Sequence, residues 1–194
     1  MTRKIFFYYD FSSPYTYIAH KRISDIKRNS EIIFEYCPML LGGLHKLAGV
    51  TANAFIENKN QFMKDDCKLV SKKLKINFKF NEKFPINSLN LMRGTLILKE
   101  EDLKKYINFF FDAYWQHNLD LSDERIFNNV LKSINLDIDK FHKGIKEQNV
   151  KDKLKQLTNH AFSKKIFGAP TFITNNKIFW GQDRLDYAIE EASK

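Results

Sequence analysis

The chain has two cysteines, Cys37 and Cys67, far apart and in no Cys-x-x-Cys spacing. That argues against a disulfide scaffold and against a cysteine-ligated zinc site, and leaves both thiols to read as buried and inert. Histidine is also sparse. His20, His45, His117, His142 and His160 form no His-x-x-x-His or His-Glu-x-x-His pair, so each reads as a surface or internally satisfied residue rather than a ligand. No apolar run approaches the roughly 18 residues of a membrane span. Behind Arg3 and Lys4 the apolar stretch ends at Asp10, too early for the core of a secretory leader. The expected setting is soluble and cytoplasmic, with no membrane partner. Low-complexity linkers and internal repeats are lacking too.

What is present is a core-forming chain of 194 residues, 43% hydrophobic, with 18 Phe, which fits one domain or one domain carrying an insertion. The net charge is +9 and the pI about 9.4. The lysines are interleaved with acids, and no aromatic RNA-binding signature or zinc finger accompanies them. We read the charge as a general compositional bias, with no nucleic-acid partner, although it suits an anionic small ligand.

Lys4–Tyr9 is short, aromatic and apolar, and reads as a buried strand. Asp10-Phe11-Ser12-Ser13-Pro14-Tyr15-Thr16 follows. Ser13 is a good N-cap and Pro14 suits the first helical position, so a helix is expected from Pro14 to about Lys27. A second strand follows at Ile32–Tyr36. From Gly42 to Phe162 nearly everything has helical periodicity. Phe55, Phe62, Met63, Cys67, Val70 and Leu74 can share one stripe; Leu103, Tyr106, Ile107, Phe110, Tyr114 and Trp115 form a very aromatic one. Ser122 is placed to cap a helix through Leu131. The end returns to strands, Thr171–Thr174 and Lys177–Trp180, joined by a tight Asn175-Asn176 turn, before a last helix begins near Gly181-Gln182-Asp183. The order β-α-β, helical block, β-β-α is that of an α/β thioredoxin-like fold with an all-helical insertion. The expected domains are residues 1–40 with 163–194, and an inserted helical domain at 41–162.

Such a fold has two diagnostic places. At the first, redox members keep Cys-x-x-Cys; here stands Ser13-Pro14-Tyr15-Thr16, which supplies neither an attacking nor a resolving thiol. A helix start still offers free N–H groups and a positive dipole end, which would lower the pKa of a thiol bound there. Ser13 is then either a thiolate-holding donor or only a cap; no base stands near it in sequence to make it a nucleophile. The second place is Ala169-Pro170-Thr171. A cis bond there would expose the backbone of Ala169 to a ligand; otherwise Pro170 merely starts an edge strand.

Read together, DFSSPYTYIA, Pro38-Met39-Leu40-Leu41-Gly42-Gly43-Leu44-His45-Lys46, Phe84-Pro85-Ile86-Asn87-Ser88-Leu89 and FGAPTFITNNKIFWGQDRL resemble the 2-hydroxychromene-2-carboxylate isomerase family, related to kappa-class glutathione transferases and more distantly to DsbA-type oxidoreductases. The resemblance implies a glutathione-dependent enzyme, acting as a homodimer on an electrophilic aromatic small molecule. In the isomerase reading, glutathione thiolate adds reversibly to a conjugated aromatic keto acid and allows rotation about a former double bond. The alternatives are a kappa-like transferase that releases a conjugate, and a protein of oxidoreductase fold without redox activity. Ser13, with Pro14 and Tyr15, matches the segment holding the glutathione sulfur. Ala169 and Pro170 match the pair that meets its cysteinyl backbone, and Gln182, Asp183 and Arg184 the segment holding its γ-glutamyl end. Asp183 could take the ammonium of that end, or simply cap the helix. Lys59 matches a lysine for the glycyl carboxylate, or is solvated. Lys46, Asn87 and Trp180 are the substrate-side candidates. Val50 departs from the family pattern, which often has Asn there.

Overall fold

A computed structural model describes residues 3–26 and 31–194. Among them the chain forms four strands and nine α-helices. The strands are β1 (Lys4–Tyr9), β2 (Ile33–Pro38), β3 (Thr171–Thr174) and β4 (Lys177–Trp180), in sheet order β2-β1-β3-β4. β1 and β2 run parallel, joined by α1 (Pro14–Ile26), while β3 lies antiparallel to both β1 and β4. The expected helix end at Lys27 lies outside the described residues. The β3–β4 turn uses Asn175 and Asn176 at φ 47° and 60°, the left-handed region that asparagine tolerates.

β1 occupies an inner position of the sheet, so both its faces are covered. Ile5, Phe7 and Tyr9 enter the large core with α1, while Tyr8 joins a smaller one with Met39, Leu44, Ala161 and Ile166. The helical block between β2 and β3 comprises α2 (Leu41–Ala48), α3 (Glu57–Lys73), α4 (Leu89–Ile97), α5 (Glu100–Trp115), α6 (Glu124–Ser133), α7 (Ile138–Gly144) and α8 (Gln148–Ser163). α9 (Leu185–Ala192) closes the chain after a 3-10 turn at Gln182–Arg184. The large core is continuous from Phe7 and Tyr9 in the sheet to Tyr106, Phe110 and Phe111 on α5.

Three expectations need correction. Residues 74–88 are not helical. Phe78 and Phe80 alternate with polar residues there, and both rings pack on Trp115 at 5.8 and 5.6 Å. The backbone is satisfied by distant groups: Lys79 N–H donates to Trp115 O at 2.6 Å, and the Tyr17 hydroxyl donates to Asn77 O at 2.7 Å. A helical period cannot override partners of that kind. Second, the α3 stripe is not all core. Met63 and Cys67 are buried, but Phe55 and Phe62 are 72% and 66% exposed. Third, α6 is capped by Asp123, whose Oδ1 accepts from Arg125 and Ile126 N–H; the Ser122 hydroxyl is bonded to Asp120 instead.

Candidate active site

The turn after β1 and the start of α1 place Ser13 beyond the carboxyl end of β1, with Pro14 as the first helical residue. Ser13 is 4% exposed. Its Oγ accepts from Thr16 N–H at 3.2 Å, which is the capping geometry expected, and donates to the Ala169 carbonyl at 2.9 Å. The Ala169–Pro170 bond is cis, as is Phe84–Pro85, which the sequence reading had not anticipated. Both diagnostic places of the fold are therefore in direct contact. Trp115 Nε1–H donates to Phe11 O at 2.8 Å and so ties α5 to the turn that carries Ser13.

Around this contact lies a cleft of about 1210 Å³. Ser13, Pro14, Tyr15, Lys59, Asn87, Ala169, Pro170, Trp180, Gln182, Asp183 and Arg184 all line it, as does Val50. The fold thus gathers eleven of the twelve candidate residues. Lys46 is the exception. It is exposed on α2 and does not line the cleft, whereas the preceding residue, His45, does. Successive helical positions are rotated by about 100°, and that turn carries Lys46 away from the cleft that His45 lines. The exposed rings of Phe55 and Phe62 also line the cleft, with Phe167 and Trp180 packed together at 4.9 Å.

The polar groups come from two sets of segments. In one, Gly181 stands at φ 109°, and its N–H donates to Pro170 O at 3.0 Å. Asp183 makes no cap at the start of α9; it pairs with Arg184 at 3.3 Å. The helix opens through a 3-10 turn, which places the carboxylate beside the guanidinium rather than over free N–H groups. Gln182 is buried, and its carbonyl accepts from Arg22 at 2.8 Å. In the other, Asn87 Oδ1 accepts from Leu89 N–H at 3.1 Å at the start of α4, and its amide nitrogen donates to no described protein group. The Tyr15 hydroxyl donates to Asp66 at 2.8 Å, so it braces α1 against α3 and is not free for a ligand.

Electrostatics set the protonation states. Burial pushes the Cys37 thiol up to about 12, with Glu35 adding to the effect, and raises the Cys67 thiol as well. Neither is a thiolate near neutral pH, although Cys37 is only half-buried, contrary to expectation. Burial holds His45 below its ordinary range, partly offset by the Asp10 charge, so it is neutral at pH 7. Asp10 is fully buried and its carboxyl is raised by desolvation, against the pull of several hydrogen bonds. Sequence reasoning missed Asp10, His45 and Asp66. A charged residue directly after a buried strand was the available signal for Asp10. Among the described residues no group of three or more His, Cys, Asp or Glu is placed to hold a metal, and no helix is long and apolar enough to cross a membrane.

A family model described as a DSBA-like thioredoxin domain matches residues 4–191. The chain belongs to that family. Among its relatives, this DSBA-like protein is 25% identical over 190 residues to the 2-hydroxychromene-2-carboxylate isomerase of Sphingobium xenophagum, covering 96% of each chain. It is 21% identical over 202 residues to glutathione S-transferase kappa 1 of Homo sapiens, covering 96% of this chain and 89% of the relative. A solved structure of 2-hydroxychromene-2-carboxylate isomerase superposes with a TM-score of 0.88 at 24% identity, over 98% of this chain and 94% of that one, and so shares the fold. The named relatives are enzymes, and this DSBA-like protein is one too.

Proposed function

We propose that the chain is a glutathione-dependent isomerase of the 2-hydroxychromene-2-carboxylate type. The observation that carries this reading is the Ser13–Ala169 contact at a cysteine-free helix start, inside a cleft lined by both polar and aromatic side chains. The donor set suits a small peptide bearing a thiol, an ammonium and two carboxylates. Ser13 and the N-terminus of α1 would hold the sulfur, Ala169 the backbone beside it, Asp183 the ammonium, and Lys59 a carboxylate. When bound, glutathione supplies a thiolate able to add reversibly to a conjugated keto acid.

The protein's own part follows from its side chains. The Ser13 hydroxyl donates to the sulfur and keeps it anionic at neutral pH. Asn87 directs its amide nitrogen at the keto acid, where negative charge develops. His45, neutral and also lining the cleft, is available to exchange a proton with the substrate's oxygen. Phe55, Phe62, Phe167 and Trp180 supply flat apolar surface for an aromatic ring and displace water from it.

Calorimetric titration with glutathione tests the first half of this reading, and absence of heat removes it. Product analysis with chromene carboxylates tests the second. A rearranged isomer that releases glutathione supports the isomerase; a stable thioether conjugate would instead make the chain a transferase of the kappa kind, as one relative is named.

A further inference from the structure

The least expected group near the cleft is a buried acid with no cation. Asp10 is 0% exposed, and among the described residues no lysine or arginine pairs with it. Such a charge is costly unless hydrogen bonds replace its water. Here they do. Oδ1 accepts from Ser12 N–H at 2.8 Å, and Oδ2 accepts from Leu41 N–H at 2.7 Å. Each carboxylate oxygen thus accepts one backbone N–H.

These donors belong to two separate segments. Ser12 precedes Ser13 and the start of α1, and Ser13 N–H itself donates to the Asp10 carbonyl at 3.2 Å. Leu41 is the first residue of α2, which carries His45. This second helix lacks an ordinary cap of its own, because Leu40 at its N-cap has no side chain able to accept. Asp10 takes over the first N–H of α2 from 31 residues away.

We infer that Asp10 is a positioning residue of the cleft, a single carboxylate that keeps the Ser13 and His45 segments in register with one another. The inference rests on the functional reading above. Among the described residues Gly181–Arg184 and Lys59 share no hydrogen bond or ion pair with Asp10. They supply the charged contacts to glutathione, whereas Ser13 and His45 act on the reacting sulfur and the substrate. A disturbed Asp10 should therefore spoil turnover and spare most of the glutathione affinity.

Asp10→Asn keeps the shape but sets an NH2 group against one of two N–H donors, so one segment must shift. The expected result is a glutathione dissociation constant within about threefold of wild type, together with a fall of about tenfold or more in kcat/KM for the chromene carboxylate. Amide hydrogen exchange should quicken at Ser12 or Leu41 and stay unchanged in the 171–180 hairpin. Asp10→Ser keeps one acceptor oxygen without the carboxylate and serves if Asp10→Asn folds poorly. It should show the same split. Equal loss of glutathione affinity and turnover makes Asp10 a general folding residue and overturns the inference, as do wild-type kinetics in both variants. Failure of the wild-type chain to bind glutathione overturns the functional reading itself, and the exchange data then show separately whether the two segments depend on Asp10.

Discussion

The Ser13 hydroxyl donates to the carbonyl of Ala169 at 2.9 Å, across 156 residues of sequence. The same oxygen accepts from Thr16 N–H. One hydroxyl thus closes the first turn of α1 and holds the loop that carries Pro170. To serve a ligand's sulfur, its proton must leave Ala169 and turn into the cleft. Ser13→Ala removes all three roles. Loss of the cap should cost about 0.5–2 kcal/mol of stability, and loss of a donor to the anionic sulfur should lower turnover about 10²-fold. Thermal unfolding and glutathione-dependent kinetics read the two effects separately; unchanged turnover would contradict the role given to Ser13.

Lys59 and Lys46 are a matched pair of surface lysines, one lining the cleft and one outside it. Lys59→Ala should weaken glutathione binding by about three- to tenfold, and less at high salt, because an exposed ion pair is modest and screened. Lys46→Ala should leave affinity and turnover within about twofold, a surface change without a partner. Titration calorimetry at two ionic strengths checks both. The opposite ranking would place the anion site on the other side of α2.

Gly168 faces the ring of Trp180. A Cβ at this position would lie 2.5 Å from Trp180 Nε1 and 3.2 Å from Cε2. Trp180 is half-exposed, so it can swing away, and Gly168→Ala should cost only about 1 kcal/mol. The cost should instead fall on the cleft: altered tryptophan fluorescence and a raised KM for the aromatic substrate. Identical emission and KM would show that the ring does not border bound substrate.

His45 links the cleft to pH. Burial holds its imidazole below the ordinary 6.5, with the Asp10 charge pulling the other way. The unfolded chain binds this proton more readily than the folded one. Stability from this group is therefore complete above the ordinary value and drains away as pH falls through it. NMR titration should give His45 a midpoint under 6.5, and His45→Gln should flatten that part of the acid slope in thermal unfolding. A midpoint above the ordinary value would mean that the Asp10 charge outweighs burial.

Much of the frame was legible from neighbouring residues alone. Strand β1 follows from its apolar run, the start of α1 from Ser13-Pro14, and the hairpin turn from Asn175-Asn176, because each depends on backbone preferences a few residues wide. The missing Cys-x-x-Cys excluded dithiol chemistry at Ser13 for the same local reason. The order of strands and helices then limited the fold to one arrangement of the sheet.

Tertiary structure decided the rest. Residues 74–88 have a period that sequence could read either way, and Trp115 and Tyr17 settle it from two distant helices. Phe55 and Phe62 look like core on a helical wheel, yet the fold turns them toward the cleft. His45 rather than Lys46 faces the same space because the rotation of α2 is set by its packing on α8 and by Asp10 at its first N–H. Asp10 itself reads in sequence as a mere interruption of an apolar run. Its meaning depends on the Leu41 N–H, 31 residues away, and no local rule brings the two together before the chain has folded.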